Sequence, residues 1–227
     1  MSLVTGHGPL SSHPQGWFQP AVPAGVVFVE PHARRIQALR GGDIVLDTEH
    51  ALLIHRVDSP LSYAFPAQEV GGLPHQAVEE AAGYVTVPWN AVDTWLEEGR
   101  RLVHYPPNPY HRVDCRPTRR RLRVALGDTV LVDSADTVIV FETALAPRLY
   151  VDPAQVRTDL LVEAATTSYC NYKGVAAYWS ARIDGRLIAD IAWSYPEPLP
   201  ESAQIAGFLS FDPTRTDMLA ELPGSST

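Results

Sequence analysis

The chemistry available to this chain concentrates in one stretch. Tyr169-Cys170-Asn171-Tyr172-Lys173-Gly174 is followed by Tyr178-Trp179-Ser180 and by Trp193-Ser194-Tyr195. Lys173 is the single lysine among 18 basic residues, so the other 17 are arginine. A GC-rich genome replaces surface lysine by arginine, which makes the one retained lysine informative. A site that needs a compact ammonium, or an amine acting as nucleophile or base, does not accept arginine in its place. Lys173 is therefore a candidate anion anchor, general acid or base, or Schiff-base nucleophile. Cys170 adds a thiol and Tyr172 a phenol, and these three are the candidate catalytic residues. Tyr178, Trp179, Ser180, Trp193 and Tyr195 are the candidate substrate-binding residues, because aromatic walls with a few convergent polar groups make small-molecule pockets. Each has a plainer reading beside it. Aromatic side chains on strands pack cores, a lone cysteine is a small buried hydrophobe, and Gly174 suits a turn. All eight histidines lie at or before His111, so this stretch has no Ser-His-Asp, Cys-His or His-metal set of its own. No metal site and no cofactor are expected.

The elements that position these residues read as β. Residues 178–183 and 186–193 flank Asp184-Gly185, the signature of a two-residue type I′ hairpin. Direct pairing across that turn sets Trp179 opposite Asp190 and Tyr178 opposite Ile191. Strand alternation then places Tyr178, Ser180, Trp193 and Tyr195 on one face, with Cys170, Tyr172 and Lys173 on the loop feeding it. Pro196 and Pro198 end the strand.

Around this segment runs a repeat. Arg35–Leu39, the Gly41-Gly42-Asp43 turn, Ile44–Asp47 and Ala51–His55 return in order as Arg121–Leu126, Gly127-Asp128, Thr129–Asp133 and Thr137–Phe141. Short β-branched runs split by Gly-Asp turns are hairpin signals. Tyr63–Gln68 then matches Tyr150–Gln155, where Asp152 and Pro153 suit the start of one or two helical turns. Gly83–Val87 resembles Gly207–Phe211. The offset grows from 86 residues (121 − 35) to 124 (207 − 83). A β unit duplicated with an abbreviated first copy accounts for this, and the first copy lacks the lysine segment. The expected division is an irregular arm over 1–33 with one short strand near Val26–Val29, a first unit over 34–104, a Pro-rich connector over 105–117, and a second unit over 118–227.

With 227 residues, 45% apolar and 19% charged, the chain has globular composition and enough length for real cores. A net charge of −8 argues against a general nucleic-acid binder, which needs a basic face. No apolar run approaches the length of a membrane span, and the N-terminus lacks the layout of a secretory signal. Two cysteines build neither a disulfide framework nor a four-cysteine zinc site. A soluble cytoplasmic protein with a small-molecule partner, and neither nucleic acid nor membrane, is expected. The oligomeric state is left open.

The second copy resembles DUF427, a family of unknown function sometimes labelled a nucleotidyltransferase. The family pattern runs Cys-Pro-Tyr-Lys-Gly, then Tyr-Trp-Ser, then Trp-x-Tyr-x-x-Pro, then a Gly-aromatic strand. Here it reads as Cys170, Tyr172, Lys173 and Gly174; Tyr178, Trp179 and Ser180; Trp193, Tyr195 and Pro198; and Gly207-Phe208. The stretch from Tyr150 to Leu161 also fits, and tandem members resemble this chain further through Pro109–Asp114. Asn171 stands where the family usually has proline. The resemblance covers most of 34–218, strongly in the second copy and weakly in the first. It implies a mainly β fold: two related compact domains with strongly folded, tent-like sheets and one or two short helices. It assigns no activity.

The nucleotidyltransferase label lacks motif support. No GxxxxGK[ST] loop occurs, and the second copy has no Asp-x-Asp pair to gather Mg²⁺. Three functions stay open. One is a cofactor-independent enzyme acting on a small organic metabolite through Lys173. Another is a non-catalytic module in which Lys173 pairs with an anionic ligand. The third is a structural or interaction domain in which the lysine loop is held by buried hydrogen bonds.

Overall fold

Short β-branched and aromatic runs broken by Gly, Asp and Pro give strands joined by tight turns, and this chain is built from little else. The computed structural model describes residues 10–14 and 16–224, so residues 1–9 of the expected arm, His7 among them, lie outside the described residues. The chain divides between His111 and Arg112 into two units. Both are mainly β and antiparallel, and their helical content is a set of 3₁₀ segments of three to six residues.

The first unit holds β1 (Val27–His32), β2 (Ile36–Arg40), β3 (Asp43–Thr48), β4 (Ala51–Arg56), β5 (Ser62–Pro66), β6 (Gln76–Ala77), β7 (Tyr84–Thr86), β8 (Thr94–Glu97) and β9 (Arg100–Leu102). One sheet runs β1-β4-β5-β7-β6 and the other β3-β2-β8-β9. The single strand expected in the arm is β1, and it pairs along its whole length with β4. The core lies where Ile36, Leu53, Tyr63, Phe65 and Trp95 meet.

The second unit holds β10 (Val113–Thr118), β11 (Leu122–Leu126), β12 (Thr129–Ser134), β13 (Thr137–Glu142), β14 (Arg148–Val151), β15 (Leu161–Cys170), β16 (Gly174–Ile183), β17 (Arg186–Ser194), β18 (Leu209–Phe211) and β19 (Asp217–Ala220). Seven strands form β10-β13-β14-β18-β17-β16-β15, and three form β12-β11-β19. The last residues of the expected connector form β10. Its Pro117 is tolerated because β10 is an edge strand. The expected helical turn appears as the 3₁₀ segment Pro153–Gln155, with Asp152 accepting the Ala154 N–H at 2.8 Å.

The two units repeat in pairing and in polar detail. Both have a strand-register shift at the same place, Ala38/Leu39 in β2 and Val124/Ala125 in β11. Arg35 grips Asp47 with two hydrogen bonds of 2.7 and 2.5 Å, and Arg121 grips Asp133 at 2.6 and 2.7 Å. Asp93 accepts the Gly41 N–H as Asp217 accepts the Gly127 N–H. Thr48 donates to Glu69 as Ser134 donates to Gln155. The pairing also corrects one correspondence. Leu53 pairs with Tyr63 and Ile139 with Leu149, so Tyr63 matches Leu149 rather than Tyr150. Only the second unit has β15 and β16, and the lysine loop lies between them.

The large sheet of the second unit buries both faces, which is why β13 and β14 read as continuous apolar runs instead of alternating ones. Ile139, Leu149, Val151, Ile191 and Ala181 enter one core. Val138, Val140, Tyr150, Ala176 and Tyr195 enter another on the opposite face.

Candidate functional site

Asp184 and Gly185, at φ 49° and 73°, make the two-residue turn between β16 and β17, with Ile183 opposite Arg186. The register does not continue unbroken. A bulge between Trp179 and Ala181 sets Trp179 opposite Ala192 and Tyr178 opposite Trp193, in place of the pairings with Asp190 and Ile191 that direct counting gives. A bulge adds residues to one strand and re-aims the side chains beyond it. Here the additional residues are on β17, where Asp190 takes φ 53° and donates its N–H to Ser180 Oγ at 3.2 Å. The result is a cross-strand pair of aromatics, Tyr178 and Trp193, with ring centres 6.5 Å apart.

These two rings and Tyr195 line a cleft of about 300 Å³ in the second unit. Lys173 reaches it from the β15–β16 loop, and Glu142 from the end of β13. The Lys173 ammonium donates to Glu142 Oε2, and the two side chains are only 9% and 10% exposed. The ammonium also lies 5.8 Å from the centre of the Tyr195 ring. The loop is held from below, since Leu199 N–H donates to Lys173 O at 3.1 Å and Ser202 Oγ to Tyr172 O at 3.4 Å. Gly174 has φ +96°, and a Cβ there would stand 3.4 Å from Glu197 O. The backbone conformation calls for glycine at the residue after the lysine.

The walls are fixed as well. Trp193 donates its indole N–H to Tyr150 Oη at 3.1 Å, and Arg148 lies over the same indole, 5.0 Å from the ring centre. Tyr178 Oη shares a hydrogen bond of 3.1 Å with Ser168 Oγ. Burial pushes the Tyr150 and Tyr195 phenols far above their ordinary range, so both stay protonated. Burial likewise pushes up the Cys115 thiol.

Of the residues singled out by sequence, Lys173, Tyr178, Trp193 and Tyr195 line the cleft together. Cys170 and Tyr172 pack against the apolar cluster beneath it. Trp179 packs on the other face of the sheet and donates to Ser194 Oγ at 3.1 Å, and Ser180 is buried at the bulge. Glu142 and Arg148 were not singled out. Glu142 ends a run resembling Ala51–His55, and the matching place in the first unit is Arg56, opposite Val27 as Glu142 is opposite Val113. Arg56 forms an ion pair with Glu80. That charge reversal at a matched position was the available signal. Among the described residues, no group of three or more His, Cys, Asp or Glu side chains is gathered to hold a metal.

The lysine loop, the aromatic pair and the Gly-aromatic strand thus stand in one unit, in the order of the family pattern. Residues 114–221 match a domain of unknown function, DUF427. The match supports DUF427 membership for that segment, which contains Glu142, Arg148, Lys173 and the three cleft aromatics. No curated protein matches the chain. The first unit lies outside the DUF427 match. Among the described residues no helix is long and apolar enough to cross a membrane.

Proposed function

We propose that the second unit is a cofactor-independent enzyme for a small organic metabolite, with Glu142 and Lys173 as its acid–base pair. The observation that carries this is the near-complete burial of the pair beside a cleft. Removing two charges from water costs several kcal/mol each, and apolar side chains of the same volume often pack as well or better. An ion pair kept at such a place is accounted for by chemistry rather than by stability. Glu142 takes a proton from the carbon next to a substrate carbonyl. The C–H electron pair moves toward the carbonyl, and the oxygen that gains charge is held by the Lys173 ammonium. Return of the proton to the same carbon or to its neighbour restores Glu142, so atoms and charge balance without a cofactor.

The test is solvent exchange in D₂O, followed by proton NMR, on enolisable compounds: acetophenone, pyruvate and phenylpyruvate. The full chain is expected to speed loss of the α-proton signal above solvent background, and Glu142→Gln to lower that rate at least a hundredfold. A Glu142→Gln variant as fast as the parent, or no exchange above background with any of them, contradicts the reading. Arg148, exposed and stacked on Trp193, favours a second reading: a non-catalytic module for an anionic ligand, with saturable binding and no exchange.

We also infer that the chain is a tandem of one duplicated unit with an abbreviated first copy. Its support is the matched strand order, the matched register shift and the Arg35–Asp47 and Arg121–Asp133 grips. The net charge of −8 argues against a nucleic acid as partner, and we propose a cytoplasmic protein whose partner is the small molecule of the cleft rather than a membrane.

A further inference from the structure

The charges around the cleft select among the molecules that the acid–base reading allows, and the selection rests on that reading. Five charged side chains line it: Lys173 and Arg148 against Glu142, Asp190 and Asp212. Four are answered within the protein. Lys173 pairs with Glu142. Asp190 Oδ2 accepts from Thr166 Oγ1 at 2.9 Å. Asp212 accepts from the N–H and hydroxyl of Thr214 at 2.8 and 2.7 Å and faces Arg215 at 3.5 Å. The Thr214 hydrogen bond is the main reason that its carboxyl is held below the usual range, with the Arg215 and Arg148 charges adding to it.

Arg148 is the fifth. It is exposed at the start of β14, and among the described residues its side chain makes neither a hydrogen bond nor an ion pair. Its guanidinium nevertheless has a defined place over Trp193, whose own indole is tied to Tyr150. A guanidinium resting on an aromatic face leaves its N–H edges available and has already given up much of its rotamer freedom. It can meet a carboxylate with two parallel hydrogen bonds. Beside it the rings of Tyr178 and Tyr195 line the cleft with aromatic surface, against which a planar ligand packs well, with Tyr178 held by Ser168. Three lining carboxylates against two cations leave a formal charge of −1 (2 − 3). A phosphate dianion therefore meets about twice the repulsion that a monocarboxylate does. A volume of about 300 Å³ is at the small end of ligand sites. We propose that the cleft takes a small planar or aromatic monocarboxylate, anchored by Arg148 and laid against Tyr178 and Tyr195.

The test is a ligand-observed NMR titration of the full chain with benzoate, 4-hydroxybenzoate, benzamide and phenyl phosphate. Both carboxylates are expected to bind at least tenfold more tightly than benzamide or phenyl phosphate. Arg148→Gln should weaken the carboxylates at least tenfold and leave benzamide unchanged, and Arg148→Lys should restore part of the loss. Arg148 is a surface side chain, so thermal unfolding of both variants should match the parent. Carboxylates that bind no better than benzamide, or that ignore Arg148→Gln, overturn the proposal. The two readings fail separately. Proton exchange on acetophenone without any preference for carboxylates overturns the ligand class and leaves the acid–base pair standing. Carboxylate binding through Arg148 without exchange on any compound supports the ligand class and sinks the enzyme.

Discussion

A lysine ammonium and a glutamate carboxylate that leave water together must recover their hydration from each other and from nearby dipoles. Lys173 donates directly to Glu142, and the Tyr195 ring lies beside the ammonium. Removing one partner of such a pair strands a charge and costs about 3–5 kcal/mol, whereas replacing both by apolar groups is neutral or stabilising. The asymmetry separates a pair kept for stability from one kept for chemistry. The first unit has a different residue at the corresponding strand position. Arg56 stands at the place of Glu142, and the unit still closes its core around Leu53 and Phe65.

At the scale of elements, the lysine loop is a tight connection between two ten-residue strands. Gly174→Ala forces a side chain onto φ +96°. It is expected to cost about 1–3 kcal/mol in chemical denaturation and to lower ligand affinity by moving Lys173. Unchanged stability and affinity would mean that the loop does not set the lysine's position. Much of this element was legible in the sequence. Asp184-Gly185 announces its hairpin because type I′ turns demand two residues at positive φ, and Tyr178, Trp193 and Tyr195 follow from alternation along the strands. The bulge was not legible: aspartate tolerates the left-handed region, so Asp190 at φ 53° carries no turn motif to flag it. Glu142 and Arg148 were missed for a different reason. They belong to β13 and β14, which reach the lysine through sheet order, and Glu142 is 31 residues away in sequence.

For the whole molecule, the two units differ in what they bury. Glu97 in the first unit is 3% exposed and accepts from His32 Nε2 at 3.0 Å, from Tyr63 and from Arg34. Burial pushes its carboxyl up, but those three hydrogen bonds outweigh it and bring the pKa from an ordinary 4.5 to about 2. An ionised carboxylate only accepts, so His32 Nε2 carries the hydrogen. Burial pushes the Tyr63 phenol far above its ordinary range, and the Glu97 charge beside it adds to that. Glu97 stands opposite Ile36, and the matching place opposite Leu122 is Ala220, so the second unit has no such group there. A depressed folded pKa stabilises above the unfolded value and is lost as pH falls through the folded one. About 3 kcal/mol contributed by Glu97 should therefore disappear from the first unit between about pH 4.5 and pH 2. Pepsin cleavage mapped by mass spectrometry over that range should open sites before His111 ahead of those after it, and Glu97→Gln should flatten the dependence. Simultaneous opening of both units would contradict this.

The central claim, that the Lys173–Glu142 pair is kept for chemistry, is tested most directly by urea unfolding of Lys173→Met, Glu142→Leu and the double variant, with α-proton exchange measured on each. The claim predicts that each single variant loses about 3–5 kcal/mol, that the double variant returns to within about 1 kcal/mol of the parent, and that none of the three exchanges substrate protons. A double variant as unstable as the singles, or one that exchanges protons at the parent's rate, would contradict it.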